Sequence, residues 1–245
     1  MEIIKAGDLV GFTFFIGYMA MLAASLFFFF ERQRVSDKWK ASLLVSGIIT
    51  FIAAVHYYYM RGVWLELGES PTEFRYIDWT LTVPLMCVEF YLILRAAGAK
   101  VGMLIRLILA SILMLVAGYI GEAFAGTGPD KGMHLILWGT ISTVGWAFII
   151  YEIFFGEAKT VAEKTNNPKV QAGFNVMRLF VFIGWAIYPI GYMMADGNLL
   201  SGLVEPQTLD LVYNIGDAIN KIGFGLVIYA MAIEDDGRLQ AIKAA

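Results

Sequence analysis

Asp78, Thr82, Met86 and Glu89 recur at i, i+4, i+8 and i+11 between Arg75 and Glu89. At about 100° per residue they fall within roughly an 80° arc of one helix face. Arg75, one turn earlier, lies on the same side. The surrounding residues are apolar enough to cross a bilayer, so both carboxylates stand where ionised groups are costly. Such groups are functional candidates by default, and each needs a named partner. Eleven residues separate Asp78 from Glu89, roughly 16 Å along the axis and about half the hydrocarbon thickness. One polar stripe therefore carries carboxylates at two depths.

The partner is Lys221. It lies near the middle of the last apolar segment, on one face with Asn214 and Asp217. Snorkelling serves lysines near helix ends, so it cannot bring this ammonium to water. Inserting a lysine at a helix centre costs about 2.5–3.5 kcal/mol. Asp217, one turn away, can pair with it. Two readings follow. One is a structural ion pair inside a bundle. The other is a desolvated lysine that forms a Schiff base with a carbonyl compound. A protonated Schiff base is a buried cation, and Asp217 and Asp78 are its candidate counterions. Trp185, Tyr188, Pro189 and Tyr192 form one face of the preceding segment. This is ordinary packing or the wall of a long conjugated ligand, and Pro189 implies a kink.

The elements that must position these groups are membrane helices. The chain is 59% hydrophobic and 16% charged over 245 residues, well away from the balance of a soluble domain. The reading is an all-α membrane protein, one seven-helix domain over 1–245. A net charge of -3 gives no reason to propose nucleic acid. Cys87 is the only cysteine, which excludes an intrachain disulfide, and His56 and His134 have no metal-ligand spacing between them. The first apolar run is long and follows Glu2, Lys5 and Asp8, which reads as an uncleaved membrane signal.

Seven apolar segments can be marked at about 9–30, 38–61, 74–96, 101–124, 132–155, 171–195 and 207–233. Residues 62–73 and 156–169 read as polar connections. Arg32, Arg34, Lys38 and Lys40, then Arg95, Lys100 and Arg106, then Lys159, Lys164, Lys169 and Arg178 fall in the odd connections; Arg238 and Lys243 follow in the tail. The positive-inside rule then places the N-terminus outside and the C-terminus in the cytoplasm. Asp78 lies toward the outside and Glu89 toward the cytoplasm. Tyr57, Tyr58, Tyr59 and Trp64 fit an interfacial aromatic belt.

The sequence resembles the microbial rhodopsins, and among them the proteorhodopsin-type proton pumps. The resemblance rests on Arg75-Tyr76-Ile77-Asp78-Trp79, Thr82-Val83-Pro84, Glu89-Phe90-Tyr91, Trp185-Ala186-Ile187-Tyr188-Pro189, Asn214, and Asp217-Ala218-Ile219-Asn220-Lys221, with His56 to Trp64 on the second segment. It implies all-trans-retinal bound covalently as a Schiff base on Lys221. It implies Asp78 as proton acceptor and main counterion, Asp217 as second counterion and Glu89 as cytoplasmic proton donor. His56 matches a histidine hydrogen-bonded to the acceptor, and Arg75 an arginine on the exit side. Trp79, Met86, Trp185, Tyr188 and Pro189 match pocket positions, with Met86 at a spectral switch associated with green absorption. The resemblance also implies a short strand pair within 62–73, assembly as a homo-oligomer (pentamer or hexamer), and residence in the bacterial inner membrane.

The Asp78, Thr82, Glu89 triplet separates functions within that family. Sodium pumps carry Asn, Asp and Gln there, and chloride pumps lack the first carboxylate. The expectation is a light-driven outward proton pump, a transporter and not an enzyme, in contact with lipid and protons. The alternative is a slow-cycling sensory rhodopsin, a signalling protein that usually lacks a carboxylic donor where Glu89 stands. Glu122 at the outer end of the fourth segment either contributes to proton release or belongs to an outer polar network.

Overall fold

The computed structural model describes residues 5–235. Glu2 and the basic tail residues Arg238 and Lys243 lie outside them. The elements are α1 (Leu9–Glu31), α2 (Asp37–Leu67), α3 (Thr72–Leu94), α4 (Val101–Ala123), α5 (Lys131–Phe154), α6 (Glu157–Lys164), α7 (Pro168–Leu179), α8 (Ile187–Met194) and α9 (Pro206–Asp235). A 3₁₀ turn, Arg95–Ala97, extends α3, and a π segment, Phe180–Gly184, follows α7. Seven spans are long and apolar enough to cross a membrane; α7, the π segment and α8 together make the sixth. With no water in the hydrocarbon region, helices satisfy their own backbone groups. Leu109, Ile183 and Ile219 lie on the outside, where lipid is the natural solvent.

α3 carries the stripe through the middle of the bundle. It packs against α2 and α4, and its polar residues Arg75, Asp78, Thr82 and Glu89 are all buried. α9 packs against α1, α2 and α7 and brings Asp210, Asn214, Asp217 and Lys221 inward, also buried. Phe90 meets Phe174 and Phe224 edge-on at centroid distances of 5.7 Å, sealing α3 against α7 and α9.

Two expectations need correction. The second span continues past 61 to Leu67, where Gly68 adopts φ +69° and donates its N–H to the Trp64 carbonyl at 2.8 Å. That left-handed cap is favourable for glycine and ends the helix. The expected strand pair in 62–73 is absent among the described residues, because helix occupies most of that stretch. The polar connection 156–169 carries a short helix of its own, α6, over residues 157–164.

The break in the sixth span lies upstream of Pro189. Pro189 has no N–H to offer the Trp185 carbonyl four residues earlier; the N–H of Tyr188 takes that carbonyl at 3.1 Å instead. The backbone loosens through 180–186, with Trp185 N–H bonded five residues back to Phe180. Side chains satisfy the carbonyls this exposes. Trp146 Nε1 donates to Val181 at 3.1 Å and Asn220 Nδ2 to Gly184 at 3.1 Å.

Candidate functional site

Lys221 Nζ is the centre of the site. It donates to Asp78 Oδ2 at 2.5 Å and to Asp217 Oδ2 at 3.0 Å. Asp217 is reached along α9 itself, four residues away, and Asp78 from α3. All three side chains are at most 3% exposed. A buried ammonium needs paired charge and hydrogen bonds, and here it has both.

Asp217 is the more heavily ligated carboxylate. Tyr57 donates its hydroxyl to Oδ2 at 2.8 Å, Trp79 Nε1 reaches both oxygens at 3.1 and 3.2 Å, and Tyr188 donates its hydroxyl to Oδ1. Asp78 is barer. Its Oδ1 is buried without a hydrogen-bond partner among the described residues. His56 Nδ1 lies 3.9 Å from that oxygen and 2.8 Å from the Ile52 carbonyl. His56 therefore stands in ion-pair range of the carboxylate while its Nδ1 hydrogen-bonds its own helix. The Thr82 hydroxyl donates to the backbone carbonyl of Asp78 at 2.8 Å, so it acts on the main chain and not on the carboxylate.

Arg75 turns away from this cluster. Its Nη2 donates to Asp210 Oδ1 at 2.7 Å and to Asn214 Oδ1 at 2.9 Å. The guanidinium carbon lies 5.2 Å from the Phe14 ring centre and 5.3 Å from that of Tyr213. Glu89 stands apart toward the other end of α3, accepting from the Ser46 hydroxyl at 2.9 Å.

Next to the lysine cluster is a cavity of about 330 Å³, bordered by Trp79, Val83, Met114, Trp185, Tyr188 and Pro189 among others. That volume lies within the range of small-molecule sites. Trp79 and Tyr188, 4.8 Å apart between ring centres, touch the cavity on one side and Asp217 on the other. Four of the five expected pocket residues border this space. Met86 is buried at 1% exposure but is not among its lining residues.

Several site residues were not anticipated. Tyr57 is fully buried and bonded to Asp217, so it does not belong to an aromatic belt; Tyr58 and Tyr59 are the exposed members of that run. Asp210 was legible as the next member, one turn up, of the face formed by Asn214, Asp217 and Lys221. Ser46 gave no signal, because a serine in an apolar helix is common and its partner lies on another helix.

Seven spans around a buried lysine, two carboxylates and an aromatic-walled cavity define the architecture of a membrane protein. The family model described as bacteriorhodopsin-like protein matches residues 8–235, and the chain belongs to that family. It is 48% identical to the blue-light absorbing proteorhodopsin of Gamma-proteobacterium Hot 75m4, across 93% of this chain and 88% of that one. It is 46% identical to the green-light absorbing proteorhodopsin of Gamma-proteobacterium EBAC31A08, across 95% and 90%. The crystal structure of blue light-absorbing proteorhodopsin from Med12 superposes with a TM-score of 0.77 at 43% identity, covering 92% of this chain and 98% of that one.

Proposed function

We propose that the protein is a light-driven outward proton pump carrying retinal on Lys221. The observation that carries this reading is the pair of carboxylates on α3. Asp78 lies 2.5 Å from the lysine nitrogen, and Glu89 stands eleven residues further along, bonded to Ser46. The residues present fit the chromophore: a buried amine, counter-charges from two helices and an apolar cavity between aromatic rings. Bound there, retinal supplies a light-driven isomerisation that redirects the nitrogen at its end and weakens that nitrogen's hold on its proton.

The protein residues give the transfer its direction. Asp78, with one oxygen free of hydrogen bonds, receives the proton from the Lys221 nitrogen. Asp217, fixed by two tyrosines and a tryptophan, keeps a negative charge beside that nitrogen throughout. Glu89 returns a proton from the opposite side. The basic first, third and fifth connections put the Glu89 end in the cytoplasm, so each turnover moves a proton outward. Transport against a potential takes about 2.3 kcal/mol per charge per 100 mV. The protein acts as a transporter, a single seven-helix domain that forms pentamers or hexamers in the bacterial inner membrane.

The test is illumination of unbuffered cells that contain the protein and retinal, followed with a pH electrode. The medium should acidify, and a protonophore should abolish the change. No change from a correctly formed pigment would refute the reading.

A further inference from the structure

Asp210 is a buried carboxylate to which the proposed pump cycle gives no role. It is 2% exposed and lies near the start of α9, two turns before Asp217. Its Oδ1 accepts from Arg75 Nη2 at 2.7 Å and from the Ser70 hydroxyl at 2.8 Å. Asn214 accepts from the same Arg75 nitrogen while donating its amide to Thr13 at 3.0 Å. Phe14 and Tyr213 flank the guanidinium.

The arginine is therefore held at the α9 N-terminal end of the site. Its salt bridge is to Asp210, whereas Asp78 and Asp217 form theirs with Lys221. Arg75 and Asp78 are neighbours on one helix, three residues apart. A flexible arginine freed from its partner is within reach of the next carboxylate on its own face.

We propose that Asp210 is a positioning residue that keeps Arg75 away from Asp78 and so sets the pH at which Asp78 takes up its proton. Asp78 itself faces Lys221 and Asp217 on α9 and His56 on α2. The charged and titratable groups around the guanidinium are Asp210, Asp217 and Tyr213 on α9, Tyr57 on α2 and Glu122 on α4. Of these, Asp210 alone makes a salt bridge to it. Without the Asp210 charge, the guanidinium field falls on Asp78, and an opposite charge within about 4–6 Å favours the ionised carboxylate. This rests on the chromophore reading given above.

The experiment is a pH titration of the dark absorption band of the retinal-loaded protein, which moves when the charge beside the chromophore is neutralised. In Asp210→Asn the midpoint should fall by about one pH unit, a tenfold change in proton affinity. Asp210→Glu should restore most of it. In an Arg75→Gln background the same Asp210→Asn change should have at most about a third of that effect, because the guanidinium transmits it. An unchanged midpoint in Asp210→Asn overturns the proposal. So does an equal fall in both backgrounds, which would show Asp210 acting through its own charge. If Asp210→Asn does not fold, thermal unfolding of the retinal-free proteins decides. Recovery of a folded protein in the double variant supports the pairing, and failure of the double variant overturns it. Absence of any visible band in the unaltered protein is a different result, and it refutes the chromophore reading instead.

Discussion

Asp78 and Glu89 share a helix face and complete burial, but little else. Around Asp78 the groups are dense and ionic. Lys221 bridges it to Asp217, and three aromatic donors converge on that second carboxylate. Around Glu89 the groups are sparse. Ser46 donates to one oxygen, and the other has no partner among the described residues. Phe90, the next residue, packs edge-on against Phe174 and Phe224. The first carboxylate is paired with an ammonium, whereas the second faces the hydroxyls of Ser46 and Ser42. On the proposed pump reading, the same side-chain chemistry serves two tasks, accepting a proton at Asp78 and storing one at Glu89.

The comparison breaks most completely at Asp78. Asp78→Asn keeps the shape and removes the acceptor, so light-driven acidification should vanish; the pH electrode reads this directly. Glu89→Gln should act differently. The first transfer does not involve Glu89, so the early light-induced change should persist. Return to the dark absorption should slow by about 10²–10⁴-fold, the usual contribution of a positioned acid or base, and become steeper with pH between 6 and 9. Flash spectroscopy measures both. A return rate that is unchanged in Glu89→Gln would remove it as donor and favour a signalling role.

Smaller changes sharpen the contrast. Ser46→Ala takes a hydroxyl from Glu89. The carboxylate left after proton transfer loses a donor worth about 0.5–1.5 kcal/mol, so the dark return should slow about two- to tenfold, measurable by the same flash experiment. Met86→Gln touches neither proton group. It places an amide one helical turn beyond Thr82 and should move the absorption maximum to shorter wavelength without changing the acidification. Relatives named for blue and for green absorption are almost equally similar to this chain, so overall likeness does not assign the colour. An absorption spectrum of the variant tests Met86 alone.

The seven spans and the Lys221, Asp78, Asp217 cluster were legible because charge inside an apolar segment is too costly to be incidental. What escaped reading depended on other helices. Arg61, Gly62 and Glu66 looked like the start of a connection, yet α2 continues through them to Leu67. That misplaced end made Tyr57 look interfacial, when its hydroxyl reaches Asp217 on a helix 160 residues away. Arg75 shared a face with Asp78 in sequence, but Asp210 and Asn214 pull its side chain elsewhere. Periodicity gives the face a residue occupies and says nothing of the partner that competes for it.

The two counter-charges of Lys221 are mounted differently. Asp217 stands four residues away on the same helix, so helical geometry fixes their separation under any rigid motion of α9. Asp78 belongs to another rod. A slight shear of α3 against α9 moves one negative charge and leaves the other in place. Bilayer thickness acts on helix tilt, so lipids that re-tilt these two rods alter the field at the lysine chiefly through Asp78. On the proposed chromophore reading, acyl-chain length thereby becomes a second control on colour, set by the host membrane and acting through Asp78.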